Sequence, residues 1–249
     1  MTMYSGYVSN PSYLTDSTRL EVVTTCVGFD DFLDVSLSHN MSQVDTMIVV
    51  TSPEDKKTQL VAQKHGAICV QTDLFKKNGR SFNKGAAINA GFGYFQYFGW
   101  RLVLDSDIVL PNNFRRILFN QTHLDPMAVY GADRVDVIGN QEIDSLKDKK
   151  QHHSGYVIHS DHHRPPSGRY VDGLYGYVPI GFFQLFNAQS HKSYPYSLGT
   201  AAHDDVLFAT QWPGNKRHLL TNAYVYHICG NAPSVGENWD GKRRQKRID

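Results

Sequence analysis

Apolar positions in this chain fall in short runs, each closed by glycine, proline or a polar cluster. Residues 20–27, LEVVTTCV, are rich in β-branched side chains and predict a first strand, ended by Gly28. Residues 29–37 follow with helical spacing. Residues 47–51 and 67–70 predict the second and third strands. Between them, Ser52-Pro53-Glu54-Asp55 reads as a helix start: a polar cap, a proline in the first turn, and acids at the positive end of the helix dipole. Ile88, Phe92, Phe95 and Phe98 lie at i, i+4, i+7 and i+10, so a helix is expected over residues 85–98 with Gly99 as its stop. Leu102, Val103 and Leu104 suit a strand buried on both faces. Further on, Phe114, Ile117 and Leu118 mark a helix and residues 127–130 a strand. Residues 178–186 are core-like, residues 203–209 predict a helix, and residues 223–228 a late strand.

Strands alternating with helices predict an α/β fold. The expectation is a single Rossmann-like domain over residues 1–249, with a mostly parallel central sheet flanked by helices. Residues 20–110 would form a nucleotide-binding half and residues 111–230 an acceptor-binding half, with a basic tail over residues 231–249. In such sheets ligands bind beyond the carboxyl ends of the strands. Thr25, Thr51, Asp73, Asp105 and Asp107 would all lie on that edge.

Composition changes this picture little. At 249 residues, 41 % apolar, 20 % charged and with a net charge of +1, the chain suits one soluble domain with no global field for nucleic acid or membrane. No apolar run is long enough to span a bilayer, and the first ten residues are no signal peptide. Cys26, Cys69 and Cys229 are odd in number and widely spaced, which points to reduced thiols in a cytoplasmic protein.

The candidate chemistry gathers on a few stretches. Asp105-Ser106-Asp107 follows a buried strand, and residues i and i+2 of an extended chain point to the same side. Two carboxylates there could share a divalent cation, Mg2+ or Mn2+; an ordinary strand-end turn is the alternative. The loop over residues 76–84, KKNGRSFNK, brings Arg80 and Lys84 to a helix start, where they could meet an anion or simply be solvated. Residues 141–170 are polar and hold His152, His153, His159, His162 and His163 without a zinc spacing; a flexible loop is expected there. His203-Asp204-Asp205 places two carboxylates at the first turn of an apolar helix, as a functional pair or as plain capping. His227 ends the late strand, and residues 242–247 are almost wholly basic.

Together these pieces resemble a known group. Phe82-Asn83-Lys84-Gly85-Ala86-Ala87-Ile88-Asn89-Ala90-Gly91-Phe92 resembles the FNRAKLLNVGF segment of the beta-1,4-galactosyltransferases. It also resembles the KA-x-A-x-N-x-G segment of family-2 glycosyltransferases. In both groups an Asp-x-Asp (DXD) motif follows about a strand later, as Asp105-Ser106-Asp107 does. Residues 181–208 resemble the second motif of the group, whose Gly-Gly-Glu-Asp-Asp-Asp helix start here reads Ala201-Ala202-His203-Asp204-Asp205-Val206. The resemblance spans residues 20–230 and implies the GT-A fold, with a nucleotide-sugar donor, usually a UDP-sugar, held through Mn2+ or Mg2+. It implies Asp105, Asp107 and His227 as metal ligands and Lys84 and Asp105 near the donor; Thr25 and Asp73 on the strand-end edge, and Arg80 and Arg243 in the basic stretches, are expected around the same donor. It implies Asp204 as general base, with Asp205 beside it. His203 and the two alanines depart from the pattern, which leaves the donor sugar open. The acceptor is open too: a saccharide, or a hydroxylated base of DNA, which the basic tail would suit.

The chemistry these residues imply is a hexosyltransferase reaction. A cation would stabilise the departing nucleoside diphosphate, and an acid would take the acceptor proton. In-line attack inverts the anomeric centre; residues 227–230, His-Ile-Cys-Gly, resemble a retaining galactosyltransferase motif and leave retention open. A nucleotidyltransferase would need a glycine-rich basic signature near residues 20–29, which is missing. A non-catalytic sugar- or nucleic-acid-binding module would have no use for so complete an acidic set.

Overall fold

The computed structural model describes residues 18–80, 82–120, 124–138, 170–197, 199–229, Arg243 and residues 247–248. The polar stretch over residues 141–169, with its five histidines, lies outside the described residues, as do residues 1–17.

Four strands build the N-terminal half of the sheet: β1 (Leu20–Thr25), β2 (Thr46–Thr51), β3 (Ile68–Gln71) and β4 (Trp100–Leu104). All pair in parallel, in the order β3-β2-β1-β4. Helices α1 (Asp30–Asn40), α2 (Lys56–His65) and α3 (Lys84–Phe92) make the crossovers. Asp55 caps α2 by accepting the Thr58 amide at 3.1 Å, and Gly66 closes it at φ +75°.

The C-terminal half is mixed. It contains β5 (Ile108–Val109), α4 (Phe114–Asn120), β6 (Val129–Val137), β7 (Tyr170–Asp172), β8 (Gly176–Val178), β9 (Phe183–Asn187), α5 (Ala201–Ala209) and β10 (Arg217–Ile228). The full sheet has eight strands in the order β3-β2-β1-β4-β9-β6-β10-β5. Here β9 runs antiparallel to both β4 and β6, β10 is parallel to β6, and β5 is antiparallel to β10. Strands β7 and β8 form a separate two-stranded hairpin.

Side chains alternate across the sheet with period two. Leu20 and Val22, Met47 and Val49, and Leu102 and Leu104 enter one core layer with Phe32, Leu33 and Leu37 of α1. Val23, Ile48, Val50 and Val103 enter the other, against Ala87, Ile88 and Phe92 of α3 and Phe208 of α5. Gly91 is needed at that contact, because a Cβ there would stand 2.5 Å from Val23 Cγ2 and 2.8 Å from Val50 Cγ2.

The helix expected over residues 85–98 is shorter than its apolar spacing implies. It ends at Phe92, and Gly91 and Gly93 weaken its last turn. The chain then turns, with the Gln96 and Tyr97 amides donating to buried Glu21 at 2.9 and 3.0 Å. Phe95 stays in the core, whereas Phe98 is exposed. The late strand is longer than expected, starting at Arg217 instead of residue 223. Among the described residues, no helix is long and apolar enough to cross a membrane.

Candidate active site

The turn after β4 is held from several sides. The Asp105 amide donates to Phe182 O at 3.2 Å, and the Ile228 amide to Asp107 O at 2.9 Å. Helix α1 fixes the rest: Ser36 Oγ donates to Ser106 O at 2.7 Å. Asn40 brackets β5, donating to Ile108 O at 2.8 Å and accepting from the Leu110 amide at 2.8 Å. Side-chain positions in a turn so anchored are reproducible, which is what a ligand site requires. Asp105 and Asp107 both line a cleft of about 670 Å³, with Thr25, Lys84, Asp205 and His227 on its walls.

The cleft carries a chain of opposite charges. Lys84 Nζ sits 2.7 Å from Asp105 Oδ1 and 3.3 Å from Asp205 Oδ2. Burial opposes charge on Lys84, but these two carboxylates outweigh it and raise its pKa. Asp105 is pushed up by burial, against the pull of Lys84; it still keeps 35 % of its side chain open to the cleft. His227 lies between two acids, Nε2 at 3.4 Å from Asp107 Oδ2 and Nδ1 at 2.9 Å from Asp136 Oδ1. Burial works against the imidazolium, yet Asp107 and Asp136 overcome it and hold the pKa of His227 above its usual value. Burial likewise works against the charge on Asp107, and the His227 ring more than offsets it.

This set fits a divalent cation. Carboxylate and imidazole ligands stand roughly 2.0–2.2 Å from such an ion, so two neighbours on one octahedron are about 3 Å apart. The 3.4 Å between Asp107 and His227 is close to that span and long for a hydrogen bond. Asp136 holds Nδ1, which leaves Nε2 for the cleft, the usual support for a ligating histidine. Asp136, His227 and Cys229 also cluster with all their ligand atoms within 4.8 Å of one another.

The acid pair on α5 divides. The resemblance assigns Asp204 as base, but the structure turns that carboxylate away from the cleft and buries it completely. It accepts from Arg80 at 3.1 Å, from Ser197 Oγ at 2.5 Å and from the Gly85 amide at 3.2 Å. Asp205, about 100° round the helix, faces the cleft instead. Its carboxylate lies flat against Gly181, where any Cβ would overlap it. Burial pushes its pKa up to about 7, with Lys84 pulling down and Asp105 pushing up. Its Oδ1 is buried and has no hydrogen-bond partner among the described residues.

Three other expected donor residues are not among those that line the cleft. The Arg80 side chain is 6 % exposed and locked onto Asp204 and the Gly199 carbonyl, so it is not available to an anion. Asp73 is exposed beyond β3 and does not line the cleft. Arg243 is paired with Asp31 at 2.5 and 2.7 Å, donates to Gly28 O and stacks over Phe29 and Phe32. Arg247 similarly pairs with Asp30 at the start of α1. Of the cysteines, Cys26 and Cys229 are buried, Cys69 is half-buried, and all three are free. Asp136, Arg134 and the tyrosines at the cleft mouth, Tyr170 and Tyr175, were not among the expected site residues. The charges Asp133, Arg134 and Asp136 inside an otherwise apolar strand were the available signal.

No family model matches this sequence, and no curated protein does. Solved structures do share its shape. Glucosyl-3-phosphoglycerate synthase from Mycobacterium tuberculosis matches with a TM-score of 0.50 and 12 % identity, over 90 % of this chain and 74 % of that one. Mannosyl-3-phosphoglycerate synthase from Rubrobacter xylanophilus matches with a TM-score of 0.50 and 14 % identity, over 87 % of this chain and 67 % of that one. The fold is that of a GT-A, Rossmann-like domain.

Proposed function

We propose that this chain is a metal-dependent glycosyltransferase that moves a sugar from a nucleotide sugar, a UDP-sugar as the first candidate, to an acceptor hydroxyl. One observation carries the reading. A single cleft holds Asp105, Asp107 and His227 on one wall and on another Asp205, one of whose oxygens has no hydrogen-bond partner among the described residues. Its fold neighbours are synthases of glucosyl- and mannosyl-3-phosphoglycerate, which supports the same reaction class.

Asp107, His227 and Asp105 would hold the ion. The oxygen-and-nitrogen ligand set suits Mn2+, with Mg2+ as the harder alternative. When bound, the ion supplies positive charge against the diphosphate as it leaves. The protein's own groups do the rest. Asp136 fixes the tautomer of His227. Lys84 ties Asp105 to Asp205, so the ligand wall and the base wall keep their spacing. Asp205, poised near pH 7, takes the proton of the acceptor hydroxyl as it attacks. One base and one attack invert the anomeric centre.

For the acceptor, a saccharide hydroxyl is favoured over a base of DNA. The DNA idea rested on the basic tail, and its two described arginines, Arg243 and Arg247, turn inward onto Asp31 and Asp30. Calorimetry of UDP binding with Mn2+ and with excess EDTA tests the reading. Binding should need the cation, and Asp107→Ala should behave like EDTA. Equal affinity in both conditions would end the metal reading.

A further inference from the structure

The hairpin β7–β8 is used by nothing described so far, and it stands at the mouth of the cleft. Tyr170 and Tyr175 line the same cavity as Asp205, yet remain 39 % and 43 % exposed. Two half-exposed aromatic rings beside a reactive acid are not core residues. Their positions are set with care. Asp172 accepts the Leu174 and Tyr175 amides at 2.8 and 2.9 Å, and its other oxygen accepts the Tyr170 hydroxyl at 3.1 Å. One carboxylate thus fixes both tyrosines. Gly176, at φ +70°, makes the return turn that a side chain would strain. Tyr177 docks the hairpin on β6 over Gly131, where a Cβ would overlap its hydroxyl. The hairpin is therefore a fixed ledge at the entrance.

Its chemistry narrows the ligand. Residues 170–178, YVDGLYGYV, contain no lysine or arginine and one aspartate. The hairpin itself offers a phosphate-bearing acceptor one carboxylate, Asp172, and no basic side chain, although the charge of Arg217 reaches Asp172 and Arg134 lines the same cavity. A neutral pyranose presents an apolar C–H face and a rim of hydroxyls, and tyrosine offers a rigid ring with a polar tip at low entropy cost. We infer that the β7–β8 hairpin is an acceptor subsite in which Tyr170 and Tyr175 stack a neutral saccharide and deliver its hydroxyl toward Asp205. This rests on the glycosyltransferase reading and adds the acceptor class to it.

Saturation-transfer NMR on the full chain, with UDP and Mn2+ present, tests it with cellobiose, maltose and lactose as probes. At least one disaccharide should receive saturation from the protein. Tyr175→Ala and Tyr170→Ala should each weaken its binding roughly tenfold, the scale of one lost ring contact. Tyr175→Phe should bind within about twofold of wild type, since the ring remains. Leu174→Ala, 81 % exposed and outside the cleft, should change nothing. Thermal melts report folding, and if an alanine variant unfolds, Tyr175→Leu gives the same reading by keeping bulk without a ring. The inference is overturned if none of the three sugars binds while UDP does, if a DNA duplex binds in their place, or if folded ring-less variants bind as wild type. Loss of metal-dependent UDP binding by the wild-type chain would instead overturn the glycosyltransferase reading itself.

Discussion

Asp204 and Asp205 are adjacent on one helix, and their surroundings could hardly differ more. Asp204 is fully buried and takes hydrogen bonds from a guanidinium, a hydroxyl and a backbone amide. Asp205 lines the cleft, with one cation, Lys84, at 3.3 Å and one buried oxygen that has no hydrogen-bond partner among the described residues. A carboxylate whose lone pairs are all engaged holds structure together. One left partly unsatisfied, with its pKa raised by burial, is available for proton transfer. Helix geometry makes the difference, since 100° of rotation turns one carboxylate into the protein and its neighbour toward the cleft.

Several experiments can break or sharpen this contrast. Arg80→Ala should have the largest effect, because it leaves Asp204 charged, buried and without its cation; a loss of about 3–5 kcal/mol is expected. Denaturant unfolding measures it, and a loss under ~1 kcal/mol would show that Asp204 is not locked as described. Next comes Gly181→Ala, whose methyl group must displace the Asp205 carboxylate. A shift of about 1 Å at a reacting group can cost on the order of 10²-fold in rate, so turnover should fall by that scale while UDP affinity holds. A milder effect comes from pH. Asp205 acts unprotonated with a pKa of about 7, so the rate should be flat above that pH and fall about tenfold per unit below it. A profile flat from pH 5 to 8 would contradict the assignment. The smallest change is Ser197→Ala, which removes one donor from Asp204 and should cost roughly 1–3 kcal/mol of stability without moving the pH profile.

How much of this could be read from the residues also differs between regions. The parallel half was legible because its strands are short β-branched runs whose alternation is visible residue by residue, as in Leu20, Val22 and Val23. The turn at Asp105 and Asp107 could be located at the cleft edge because it follows a run, Leu102 to Leu104, whose burial on both faces is visible in the residues themselves. The α5 acids could be located but not ranked, since ranking needs Arg80 and Ser197, which lie 124 and 7 residues away in the chain. Arg80 and Arg243 were misplaced for a related reason. A basic residue near an anion site looks the same in sequence whether it meets the ligand or a buried aspartate. The β7–β8 ledge gave no periodic signal at all, because three-residue strands are too short to show one.

The central claim is that Asp205, and not its neighbour, does the chemistry. The most direct test is the single-turnover rate of Asp205→Asn on the nucleotide sugar that the wild-type chain cleaves fastest, with UDP binding measured alongside. Asparagine keeps the shape and loses the base, so the rate should drop by ~10²–10⁴ with UDP affinity unchanged. A wild-type rate from Asp205→Asn would contradict the account.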